Sequence, residues 1–83
     1  MSARDNDNGT VVLDVRKIRL MERHDRIFES FDGLAVGETL IIINDHDPRP
    51  LWYQFSVERK NQFEWTYLEK GPEAWRVAIV KTA

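Results

Sequence analysis

The chain has 83 residues, the size of one small domain. Lys plus Arg number 12 against 14 Asp plus Glu, and this net charge of −2 argues against retention on nucleic acid or anionic lipid by bulk charge. A 42% hydrophobic share with three Trp, two Tyr, four Phe and no cysteine excludes a wholly disordered chain, a disulfide framework, a thiolate metal site and a cysteine nucleophile.

Residues 1–9 are polar and aperiodic and read as a disordered N-terminal tail, ahead of a single domain over residues 10–83. Thr10-Val11-Val12-Leu13-Asp14-Val15 is β-branched and reads as a first strand. From Leu20 the period lengthens: Leu20, His24, Ile27, Phe28, Phe31 and Leu34 share one helical face, with Glu22, Arg23, Asp25, Arg26 and Glu29 on the solvent side. The spacing predicts a helix over about residues 20–32, closed by Gly33 at positive φ. Thr39-Leu40-Ile41-Ile42-Ile43-Asn44 reads as a buried strand with parallel neighbours. Asp47 then suits an N-cap and Pro48 a first helical position, which starts a second helix running to about Arg59. Phe63, Trp65 and Tyr67, and later Trp75, Val77 and Ile79, alternate with polar or small residues about Gly71-Pro72, the pattern of an antiparallel hairpin.

The order β-α-β-α-β-β is most economically an α+β two-layer sandwich: a mixed four-stranded sheet with two helices on one face. The longest aliphatic run covers residues 40–43, whereas a membrane span needs roughly 20 residues. MSARDNDNGT carries no apolar signal-peptide region, so a cytoplasmic location without membrane contact is expected.

Several strings carry a family resemblance. They are Leu13-Asp14-Val15-Arg16, Arg23-His24 with Ile27-Phe28, Gly37-Glu38, Asn44-Asp45-His46-Asp47-Pro48-Arg49-Pro50-Leu51, Phe63-Glu64-Trp65 and Gly71-Pro72-Glu73-Ala74-Trp75-Arg76-Val77. Over about residues 12–81 the chain resembles the TusA/SirA-like domains. Within them it is most similar to an uncharacterised bacterial and archaeal family found alone or fused to hemerythrin and cupin domains. The resemblance implies the same two-layer fold, and hemerythrin-like or cupin proteins as partners. It does not imply sulfur transfer: where the sulfur carriers have Cys-Pro-x-Pro, this chain reads Arg19-Leu20-Met21-Glu22.

Three constellations carry chemistry. In the expected topology His24, near the start of the first helix, and His46, in the loop entering the second, lie on one sheet edge. With Asp45 or Asp47 they would suit Zn²⁺, Fe²⁺ or Mn²⁺. The competing reading makes His24 a core residue and Asp47 a simple cap, and the two histidines have no diagnostic metal spacing. Arg16, Lys17, Arg19, Arg23 and Arg26, with Arg49 beyond, place positive charge at the helix starts, where the macrodipole favours anions. They read either as solvated side chains or as the cradle of an anion or acidic protein surface; a patch this small argues against nucleic acid. Most aromatics belong to the core, while Trp52 or Tyr53 is placed to wall a pocket beside His46, and Trp65 is a further candidate wall. No nucleophile elbow or phosphate loop is present. The sequence thus points to an accessory binding domain acting through Arg23, His24, Asp45, His46, Asp47 and Arg49. A small metal-dependent enzyme or redox accessory built on His24 and His46 is the alternative.

Overall fold

The computed structural model describes residues 9–83. The expected disordered tail lies outside these residues except for Gly9, whose carbonyl accepts from the Thr39 amide at 2.9 Å. The order is β1 (Thr10–Asp14), a 3-10 turn (Val15–Lys17), α1 (Leu20–Asp32), β2 (Thr39–Asn44), α2 (Arg49–Glu58), β3 (Phe63–Lys70) and β4 (Trp75–Lys81). The four strands form one mixed sheet in the order β1-β2-β4-β3. Thus β2 has one parallel neighbour, β1, and one antiparallel neighbour, β4, rather than the two parallel neighbours its aliphatic run suggests. The run reflects a central position in the sheet, which either strand direction supplies.

Strand alternation decides where the helices sit. Leu40, Ile42, Val77 and Ile79 are fully buried and pair across β2 and β4, so they occupy one face. Against that face lie Ile27, Phe28, Phe31 and Leu34 of α1 and its exit, and Leu51 and Phe55 of α2, in one continuous core. Phe55 is its centre, stacked on Phe28 at 4.3 Å and edge-on to Phe31 at 5.1 Å. Both helices therefore cover the same face, as expected. At the far end of the helix pair, Arg59 donates twice to the Asp32 carboxylate, at 2.8 and 2.7 Å, and its guanidinium lies over Phe28.

Two local expectations are corrected. Gly33 closes α1 in the right-handed region, at φ −77°, and Leu34 reaches the core directly. Positive φ is taken instead by Gly37, at +94°, in the turn that leads to β2. Arg23 is buried and His24 exposed, the reverse of the face reading. Positions 23 and 24 stand four and three residues before Ile27, so both are helical neighbours of the core stripe. Polar partners at the end of β2 decide between them, and periodicity carries no information about those.

Candidate functional site

β1 and β2 run parallel, so their C-terminal ends share one edge of the sheet, where α1 starts and the loop into α2 departs. Arg23 joins these pieces. It is only 8% exposed, and its Nε donates to the Ile18 carbonyl at 2.9 Å. Its Nη1 donates to Asn44 Oδ1 at 3.2 Å and to Asp45 Oδ1 at 3.3 Å. Asn44, itself buried, also accepts from the Asp45 amide at 2.8 Å. A buried guanidinium is tolerated because its donors are matched by a carbonyl, an amide oxygen and a carboxylate.

Asp45 in turn orients His46, whose Nδ1 stands 2.6 Å from Asp45 Oδ1. In the neutral ring this contact puts the proton on Nδ1 and leaves Nε2 as an acceptor. The His46 contact, together with Arg23, holds the Asp45 carboxyl below the usual carboxylate range. His46 and the exposed His24 line a common cavity of about 80 Å³ with Arg23, Asn44 and Pro48, floored by Ile27 and Leu51. The structure thus brings four of the six candidate residues into one connected cluster: Arg23, His24, Asp45 and His46.

Asp47 and Arg49 face elsewhere. Asp47 does not cap α2, which starts at Arg49 with Pro48 in the cap position and no side-chain cap bond. Instead, its carboxylate accepts from the Tyr67 hydroxyl at 2.8 Å and pins the loop to β3. Burial first, and then this bond to a carboxylate, push the Tyr67 phenol upward. Arg49 lines a second cavity, of about 150 Å³, with Trp52, Trp65 and Tyr67. Neither Trp52 nor Tyr53 walls the histidine cavity, as the sequence suggested for one of them. Trp52 faces away from it across α2.

The expected cationic patch is neutralised from within at three of its six positions. Arg16 donates to both carboxylate oxygens of Asp14, at 2.9 and 2.8 Å, and brings that carboxyl down to about 2. Arg19 lies 3.8 Å from Glu22, and Arg23 pairs with Asp45. Among the described residues, no three His, Asp, Glu or Cys side chains gather as a metal cage. The histidine cavity offers two imidazoles and no third ligand of that kind.

Among the described residues, no helix is long and apolar enough to cross a membrane. Over residues 12–81 the sequence matches the family described as "Uncharacterized conserved protein (DUF2249)", and the chain belongs to that family. No curated protein and no solved structure matches it.

Proposed function

We propose that this DUF2249 domain is a cytoplasmic, TusA-like accessory module that binds a small polar ligand in the cavity between the starts of α1 and α2. His24 and His46 supply its contacts. One observation carries the reading: two imidazoles from different elements line the same small cavity, next to a buried guanidinium that fixes the loop bearing one of them. The Asp45–His46 contact supports it further, since it orients the ring before any ligand arrives and lowers the ordering cost of binding. A cavity of about 80 Å³ has room for several waters or a small oxyanion, not for an extended substrate. With no thiol in the chain, sulfur carriage is not part of the proposal, and the small size of the histidine cavity favours binding over catalysis.

A second reading has a specific observation behind it. A carboxylate that holds one imidazole nitrogen is the usual outer partner of a metal-bound histidine, which leaves His46 Nε2 open for Zn²⁺, Fe²⁺ or Mn²⁺. The absence of a third side-chain ligand among the described residues weighs against it. A metal-dependent enzyme or redox accessory on this edge would need the same site. Hemerythrin-like and cupin partners rest on family resemblance and are tested by co-purification with the full chain.

The deciding experiment follows the His24 and His46 ring resonances during separate titrations with phosphate, acetate and Zn²⁺. Joint movement of both rings with an oxyanion, abolished in His24→Ala, supports the binding reading. Joint movement at one equivalent of Zn²⁺ and none with the anions replaces it with the metal reading. Silence of both rings in every titration refutes the two together.

A further inference from the structure

The cavity on the other flank of the Asp47–Pro48 loop has a different chemistry. Arg49 and Trp52 are one turn apart on α2, and Trp65 and Tyr67 are alternate residues on β3, so helix and strand face each other across it. Its walls are fixed from behind. Trp65 packs on Phe55 at 6.2 Å and lies edge-on to Tyr67, and the Tyr67 hydroxyl is held by Asp47.

The Trp65 indole nitrogen is buried beside the Tyr67 hydroxyl and does not open onto this space, where one polar feature remains unanswered. Arg49, exposed at the rim, makes no ion pair or side-chain hydrogen bond among the described residues. Three aromatic walls alone would suit a quaternary ammonium group, but a guanidinium on the same cavity repels one. The fitting ligand is flat and carries negative charge for Arg49. Size narrows it further: a cavity of about 150 Å³ takes one benzene ring. Trp52 and Trp65 also wall an adjoining depression with Ser56, Lys60, Asn61 and Phe63, which leaves space for a ring substituent and adds a second cation.

We propose that the cavity between α2 and β3 binds a single-ring aromatic carboxylate. Its ring lies against Trp52 and Trp65, and its carboxylate meets Arg49. This site is independent of the histidine cavity and is read by different nuclei.

The test titrates the full chain with benzoate while observing the three indole N–H resonances, with cyclohexanecarboxylate, benzyl alcohol, tetramethylammonium and oligothymidylate as comparisons. Benzoate is expected to shift the Trp52 and Trp65 signals and leave Trp75 in place. Cyclohexanecarboxylate, which is not flat, and benzyl alcohol, which is uncharged, are each expected to bind about tenfold more weakly or worse. Arg49→Gln, at an exposed position, should leave the spectrum of the free protein intact and weaken benzoate about tenfold. The proposal is overturned if benzoate moves neither indole up to its solubility limit or if Arg49→Gln binds it unchanged. Tighter binding of tetramethylammonium overturns it in favour of a cation cage, and tighter binding of oligothymidylate in favour of a single-stranded nucleic-acid surface.

Discussion

Replacing Arg23 with Met keeps an unbranched stem beside Ile27 and removes every donor. Three acceptors then lose their partner: the Ile18 carbonyl, Asn44 Oδ1 and the Asp45 carboxylate. The Asp45 side chain is 48% exposed, so water screens that ion pair and its loss adds little. The other two are hydrogen bonds from a charged donor in a part-buried or buried setting, each worth about 1.5 kcal/mol or somewhat more. The sum is about 3 kcal/mol, a large part of the roughly 4–12 kcal/mol expected for a domain of 83 residues. It corresponds to a fall in Tm of about 12–24 °C. Arg23→Lys should lose about half as much, since one ammonium cannot reach the Ile18 carbonyl and Asn44 together. Urea denaturation with an unchanged m-value is the assay, and His24→Ala, one position along and exposed, is the control within about 0.5 kcal/mol. An Arg23→Met loss below about 1 kcal/mol, or a larger loss from His24→Ala, would refute the assignment of the buried face of α1.

Phe55→Ala should be the most destabilising truncation in α2, at about 3–5 kcal/mol by denaturation, because its ring meets Phe28, Phe31, Phe63 and Trp65; Val57→Ala, at an exposed position of the same helix, should stay within about 0.5 kcal/mol. Gly71→Ala should destabilise by about 2 kcal/mol or more, since φ there is +62° and a Cβ would stand 2.7 Å from the Trp75 indole; a change within 0.5 kcal/mol would mean the β3–β4 turn relaxes freely. Asp14→Asn should lower the denaturation midpoint at neutral pH. The Arg16 bonds depress the folded Asp14 pKa from 3.8 to about 2, so their contribution is present above pH 3.8 and fades as pH falls through about 2. Wild type and Asp14→Asn should therefore converge on the acid side, and a constant gap down to pH 2 would contradict the pairing.

The fold was legible because its signals are local and mutually consistent. Ile27, Phe28 and Phe31 of α1, and Leu51 and Phe55 of α2, stand at helical spacing, and Trp75, Val77 and Ile79 alternate with Arg76 and Ala78, whereas the uniformly aliphatic run of residues 40–43 marks a central strand without marking its covered face. Direction was less legible. The pairing of β2 with β4 is set by the hairpin return of the chain, and a run such as Leu-Ile-Ile-Ile is satisfied by a parallel or an antiparallel partner alike.

The site was half legible for a related reason. Topology alone brings the start of α1 and the exit of β2 to one edge, and the cavity shared by His24 and His46 follows from it. What spacing could not reveal is which polar side chain would find its partners across the fold. Arg23 and Asn44 are 21 residues apart, and Asp47 and Tyr67 are 20 apart. A residue with such a partner looks like surface or like a cap when read locally, so Arg23 reads as solvent-facing and Asp47 as the α2 N-cap. Both contacts hold the same segment. Arg23 anchors Asn44 and Asp45 from the α1 side, and Tyr67 anchors Asp47 from the β3 side, so residues 44–47 are clamped between two cavities. A loop held at both ends presents His46 to one cavity and starts the helix that presents Arg49 to the other, without the ordering cost of a free loop.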